Sequence, residues 1–326
     1  MSASLMPNRD ELYRPVAHIM LRDQWETHYA TDIEAILRLK QEKNAVILAH
    51  NYQTPEIFHC VADIRGDSLA LARAAQTVDA STMVMAGVHF MAETAKLLNP
   101  EKTVLIPDSA AGCSLAEGIT ADNVRALKKH YPGVPVVTYV NSTADVKAES
   151  DVCCTSGNAR RIVESLGVPR VIMIPDEFLA RNIEAETGIE MLTWPAHCEV
   201  HERFTPQEIR QYRRLHPGVS VIAHPECPPE VVAEADHAGS TAQMISFIDQ
   251  TKPQKVLLVT ECSMSDNLAA LYPQTQFVRP CNLCPHMKRI TLSNIRQALE
   301  SMQTAVTIPE HLQRPARMAV ERMLAI

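Results

Sequence analysis

Arg279-Pro280-Cys281-Asn282-Leu283-Cys284-Pro285-His286-Met287 closes the last of three stretches in which a strand-like run ends in a tight turn holding a cysteine. The first is Leu105-Ile106-Pro107-Asp108-Ser109-Ala110-Ala111-Gly112-Cys113 and the second Met191-Leu192-Thr193-Trp194-Pro195-Ala196-His197-Cys198. Cys198 follows Cys113 by 85 positions, and Cys284 follows Cys198 by 86. Even spacing on that scale is the mark of a structural repeat with one thiol per copy, and three equivalent loops can meet at one point. Three converging thiolates read as a metal or cluster site; three unrelated thiols are the alternative on spacing alone.

Working outward, the elements between the cysteines recur in the same order. Ala45-Val46-Ile47-Leu48-Ala49 ends at His50-Asn51-Tyr52, Val136-Val137-Thr138-Tyr139 at Val140-Asn141, and Ser220-Val221-Ile222-Ala223 at His224-Pro225-Glu226. Continuous apolar runs of this kind suit parallel strands covered on both faces. Ser68, Ser156 and Ser240 follow His50, Tyr139 and His224 by 18, 17 and 16 positions, each expected to open a helix. Further strands are expected at Met83–Gly87, Arg170–Ile174 and Lys255–Val259, before each cysteine turn. The pattern predicts an α/β fold of three pseudo-threefold-related, three-layer αβα domains with mainly parallel sheets. Their expected spans are 1–112 together with 287–326, then 113–197, then 198–286. Asp32–Lys40 puts Ile33, Ile36 and Leu37 on one helical face, Thr205-Pro206-Gln207-Glu208 is a helix start signal, and two helical stretches after Thr291 are expected to return to the first domain.

The chain has 326 residues, 46% of them hydrophobic, with a net charge of −7 and a pI near 6.0. That balance gives no basic footprint for nucleic acid or anionic membrane. Met1–Asp10 lacks a signal-peptide pattern, and no apolar run approaches the roughly 18 residues of a membrane span. The reading is cytoplasmic, where nine cysteines argue for metal ligation or redox chemistry over a disulfide framework.

Ligands of α/β sheets gather beyond the C-terminal strand ends, and each repeat puts unusual polar residues there: His50 and Tyr52, Tyr139 and Asn141, His224 and Glu226. A buried glutamate beside histidine and tyrosine is an acid/base candidate, although core aromatics and a structural His–Glu pair would give the same residues. The helix openings at Ser68, Ser156 and Ser240-Thr241 suit carboxylates or a phosphate, while plain N-capping is the commoner use of serine there. Cys60, Cys153, Cys154, Cys227 and Cys262 lack repeat equivalence and read as buried or incidental thiols. Cys281 makes a C-x-x-C pair with Cys284, which leaves half a zinc site or a redox disulfide open. Three thiolates fit a four-iron four-sulfur cluster whose remaining iron lacks a protein ligand and could act as a Lewis acid.

The motifs taken together resemble the quinolinate synthase family of de novo NAD biosynthesis. They are Ala49-His50-Asn51-Tyr52-Gln53, Gly66-Asp67-Ser68, Pro107-Asp108 with Gly112-Cys113, Tyr139-Val140-Asn141-Ser142, Cys154-Thr155-Ser156-Gly157-Asn158, Cys198 with Val200-His201, His224-Pro225-Glu226, Gly239-Ser240-Thr241 and Cys281-Asn282-Leu283-Cys284-Pro285, in one order from about Asp32 onward. The resemblance implies a triangle of three domains around one 4Fe-4S cluster per chain on Cys113, Cys198 and Cys284. It implies condensation of iminoaspartate with dihydroxyacetone phosphate to quinolinate, and a transient contact with L-aspartate oxidase is a further expectation. Catalytic roles carry over to Glu226, Tyr52, Tyr139, His224 and His201, and substrate contacts to His50, Ser68, Tyr139, Asn141, Ser156, His224, Glu226, Ser240 and Thr241. Some relatives carry a further cysteine three positions before Cys281, where this chain has Val278.

Overall fold

The computed structural model describes residues 7–326; the leader Met1–Met6 lies outside the described residues. Each expected repeat forms its own four-stranded, all-parallel sheet. The first contains β1 (Ala45–His50), β2 (Ile64–Gly66), β3 (Thr82–Ala86) and β4 (Thr103–Leu105) in the order β2-β1-β3-β4. The second contains β5 (Val136–Tyr139), β6 (Val152–Cys154), β7 (Arg170–Ile174) and β8 (Glu190–Thr193) in the order β6-β5-β7-β8. The third contains β9 (Ser220–Ala223), β10 (His237–Ala238), β11 (Lys255–Val259) and β12 (Gln276–Val278) in the order β10-β9-β11-β12. Identical strand order in three copies is the repeat made visible, and helices flank every sheet.

The central strands are apolar because both faces are covered. Ile47, Val84, Val137, Ile172, Val221 and Leu257 have no exposed surface. Burying each such side chain contributes about 1.5–3 kcal/mol. The helix Ala30–Glu42 buries Ile33 and Ile36 as its spacing predicts, and Thr205 caps Pro206–Leu215 through a reciprocal bond with Glu208. Of the two tail helices, Leu292–Ser301 packs on Ala30–Glu42 and β3 of the first unit. Glu310–Leu324 instead lies mainly on Ala144–Ala148 and β6 of the second unit, because its buried Ala316, Ala319, Val320 and Met323 form a stripe wide enough to bridge both.

Two helix starts differ from the expected serines. The helix Ser68–Thr77 is capped by Asp67, whose carboxylate accepts the Ala70 N–H, so Ser68 is the first helical residue. In the second unit the helix is Ala159–Ser165, with Asn158 before it. The Asn158 side chain accepts the Thr155 N–H at 2.7 Å and winds Thr155–Asn158 into a turn, which leaves Ser156 ahead of the helix.

Candidate active site

The three cysteine turns share one construction. The residue just beyond the third strand of each unit donates its N–H to the carbonyl two residues before the cysteine: His89 to Ala111 at 2.8 Å, Glu177 to Ala196 at 3.0 Å, and Cys262 to Asn282 at 3.2 Å. Each cysteine carbonyl then accepts the N–H four residues on, from Glu117, Glu202 and Lys288. One helical turn therefore starts at each cysteine, and the free N–H groups of that turn face its sulfur. Leu115 and Ala116 do so for Cys113, Val200 and His201 for Cys198, His286 and Met287 for Cys284.

These sulfurs and the strand-end residues line one cavity. It is bordered by His50, Tyr52, Ser68, Cys113, Tyr139, Asn141, Ser156, Cys198, His201, His224, Glu226, Thr241 and Cys284. The cavity thus gathers every site residue expected from the sequence except Ser240. That hydroxyl accepts the Gln243 N–H at 3.3 Å and closes a capping box, the plain cap role.

Glu226 is the hub. Its Oε1 accepts the Tyr139 hydroxyl at 2.6 Å, and its Oε2 lies 2.7 Å from His201 Nδ1. Burial pushes the Glu226 carboxyl up, but the His224 and His201 rings and the bonds from His201 and Tyr139 outweigh it and hold the carboxyl below its usual range. Burial, reinforced by the Glu226 charge, keeps the Tyr52 and Tyr139 phenols protonated far above their ordinary pKa. His50 and His224 are equivalent across repeats. Each accepts at Nδ1 the backbone N–H two residues on, from Tyr52 at 3.2 Å and Glu226 at 3.3 Å. Burial lowers them to about 4 and about 3, so both rings are neutral at pH 7 with their proton on Nε2. The His201 ring stacks on His224 at 4.6 Å, and the buried Asn141 Oδ1 has no hydrogen-bond partner among the described residues.

A metal fits this donor set. Burial pushes Cys113 up to about 12, Cys284 to about 11 and Cys198 well above its ordinary value, so without a cation the thiols stay protonated. Three half-buried cysteines on one cavity, each sulfur facing two N–H groups, are suited to thiolates on a cationic centre. Separately, Cys198 Sγ, His201 Nδ1 and a Glu226 oxygen lie within 4.8 Å of one another and could hold a single ion. All nine cysteines are free. Exposed Cys281 meets Cys262, with the sulfurs 2.7 Å apart, rather than joining the cavity.

Sequence reasoning missed Thr260, Glu261 and Lys288. Thr260 Oγ1 lies 2.6 Å from the Tyr52 hydroxyl and 2.9 Å from His201 Nε2. Lys288 Nζ bonds the Tyr52 carbonyl at 2.7 Å, Ser263 Oγ at 2.6 Å and the fully buried Glu261 carboxylate at 3.0 Å. Glu261 Oε1 also accepts the Cys284 N–H at 3.4 Å. The available signal was the end of the third strand: Thr260-Glu261 stands where the other repeats have Gly87-Val88 and Pro175-Asp176.

Residues 34–325 match the family model described as "Quinolinate synthetase A protein". The chain belongs to the quinolinate synthase family. It is 65% identical over 324 residues to "Quinolinate synthase 2" of Mesorhizobium japonicum, covering 99% of this chain and all of that protein. It is 64% identical to the quinolinate synthase of Agrobacterium fabrum, covering 97% of this chain and 91% of that one. Against that of Xylella fastidiosa the identity is 65%, over 91% of this chain and 88% of the relative. Such likeness over nearly the whole length makes the chain a quinolinate-synthase-type enzyme, and the cavity is its candidate active site. No helix among the described residues is long and apolar enough to cross a membrane.

Proposed function

We propose that the chain condenses iminoaspartate with dihydroxyacetone phosphate, releasing phosphate and water, to form quinolinate in de novo NAD biosynthesis. The observation that carries this reading is the junction of three cavity-lining thiols with an ionised glutamate, two protonated tyrosines and two neutral histidines. Cys113, Cys198 and Cys284 would hold a four-iron four-sulfur cluster, which when bound supplies a Lewis acid for dehydration at the iron that lacks a protein ligand.

Glu226 is placed to take a proton during enolisation or dehydration, and the Tyr139 hydroxyl on its Oε1 can return one. The neutral rings of His50 and His224 present Nε2–H donors to substrate oxygens. Ser68 in the first turn of Ser68–Thr77, Ser156 and Thr241 supply hydroxyls for two carboxylates and a phosphate, and the unpartnered Asn141 Oδ1 is placed to accept a substrate N–H or O–H. Among the described residues no lysine or arginine lines the cavity, so hydroxyls, N–H groups and the cluster would meet the substrate's negative charge. Iminoaspartate hydrolyses in water, which favours supply close by, with L-aspartate oxidase as the source. Nine free thiols favour a reducing, cytoplasmic setting.

Protein prepared without oxygen is supplied with dihydroxyacetone phosphate and iminoaspartate generated from oxaloacetate and ammonia. Quinolinate appearing only when both substrates and loaded protein are present supports the reading; none from fully loaded protein overturns it. The grouping of Cys198, His201 and Glu226 favours a second reading, one divalent ion per chain. Colourless protein with one zinc and no sulfide would select it.

A further inference from the structure

The cavity wall holds neither lysine nor arginine among the described residues, yet a buried lysine packs on one of its wall residues. Lys147 lies on the helix Ala144–Ala148, which follows the strand end that carries Tyr139 and Asn141, and it has no exposed surface. Its Nζ donates to the Ser142 carbonyl and lies 5.5 Å from the centre of the Phe90 ring, and Phe90 borders the cavity. A carbonyl oxygen and an aromatic face are both partners that an ammonium prefers. Ion pairs hold Lys40 to Asp63 and Lys288 to Glu261, but none holds Lys147 among the described residues. Burial lowers its pKa, and Glu93 is the carboxylate that opposes this most, although Glu93 Oε2 is itself engaged by the Ala144 N–H at 3.1 Å. A buried cation without a paired anion is costly, so it gains from any negative charge brought close. Cys113, on the cavity, is near enough for a thiolate there to favour the ammonium. The carboxylates of a bound substrate would enter the same space.

We infer that Lys147 is a specificity-determining residue for the reaction proposed above, on which this inference rests: from just outside the wall, its ammonium makes the cavity favour dianionic ligands. Quinolinate, with two carboxylates, is of that class. The lysine acts through space across a dry, apolar layer, where a charge is screened far less than in water. The same positive charge favours the reduced, more negative form of a cluster held by Cys113, Cys198 and Cys284, and so raises its potential. Placing the charge behind Phe90 leaves the wall itself free of a long, mobile cation that would compete with the hydroxyls for the substrate.

Lys147→Gln removes the charge but keeps an N–H donor for the Ser142 carbonyl, and Lys147→Arg keeps the charge. Wild type and both variants are loaded anaerobically and compared for quinolinate affinity by calorimetry, iron and sulfide content, melting temperature and cluster reduction potential. The expected result for Lys147→Gln is a Kd raised on the order of tenfold and a more negative potential, with iron content within about twofold, while Lys147→Arg stays within about threefold of wild type. Quinolinate bound by Lys147→Gln as tightly as by wild type, weaker binding at an unchanged potential, or Lys147→Arg falling equally far overturns the inference and leaves the proposed function standing. Iron lost in proportion to affinity overturns it too, by making the role structural. If Lys147→Gln does not fold, Glu93→Gln decides, because it removes the opposing carboxylate and keeps an acceptor for the Ala144 N–H. Tighter quinolinate binding and a raised potential are then expected, and unchanged or weaker binding overturns the inference. A loaded wild type that neither binds nor forms quinolinate overturns the proposed function, and this inference with it.

Discussion

Glu226 shows how far a buried carboxylate depends on its neighbours. It is 4% exposed, and burial alone would favour its neutral form; His224, His201 and Tyr139 reverse that. Glu226→Gln should therefore lower kcat by about 10²–10⁴-fold while leaving the iron content intact, read by quinolinate formation beside metal analysis. The histidines make a pH prediction with a definite sign. His50 and His59 titrate at about 4 and His224 at about 3, each lowered first by burial from 6.5. Unfolding lets them bind protons they lack when folded, so their contribution is present above pH 6.5 and lost as pH falls toward 4. At the alkaline end the thiols act in the opposite sense. Their raised pKa values keep stability present below about 9 and lose it as pH climbs toward 11 to 12. Melting temperatures of metal-free protein should fall on both sides of a plateau; a flat profile from pH 7 to 4 would refute the acid half. His50, Tyr139, His224 and Glu226 were legible in the sequence because equivalent strand ends repeat them. Their protonation was not legible, because it depends on partners from other units.

The turn after β11 is the element that joins the units. Lys288 fastens it to the Tyr52 carbonyl, and Glu261 fastens it to the Cys284 N–H. Lys288→Met would leave a fully buried carboxylate without its cation. Loss of about 3–5 kcal/mol is expected by denaturant unfolding, with poorer iron retention as the Cys284 turn loosens. A change under about 1 kcal/mol would mean that the pair is dispensable. Ser240 gives the contrasting case. Because its hydroxyl caps Thr241–Thr251, Ser240→Ala should cost about 1 kcal/mol and leave KM unchanged, whereas Ser68→Ala should raise KM. A raised KM in Ser240→Ala would restore the anion-binding role expected from sequence. The strands were readable as apolar runs between turn residues, and Arg170–Ile174 and Lys255–Val259 match residue for residue. The helix after Ser156 was misplaced because Asn158 winds an extra turn first, a bond that composition does not reveal.

For the whole molecule, threefold repetition converts three ordinary strand-to-turn junctions into one site that no single unit can build. Tyr52 of the first unit meets Thr260 of the third, Tyr139 of the second meets Glu226 of the third, and Asn51 bonds Thr241 across the same divide. The repeat was legible from the cysteine spacing taken together with the strand ends and helix openings that recur in the same order. The bridging position of Glu310–Leu324 was not, since its apolar stripe fits either neighbour. A cofactor held by all three units should stabilise them together: melting of loaded protein should exceed that of stripped protein, and equal values would argue against a shared centre. The most direct measurement is iron and sulfide analysis with a visible spectrum, made anaerobically on wild type and on Cys113→Ala, Cys198→Ala, Cys284→Ala and Cys281→Ala. A single cluster on three thiols predicts about four irons and four sulfides in wild type and Cys281→Ala, and loss in the other three. Zinc alone, or a cluster that depends on Cys281 as much as on Cys284, would contradict it.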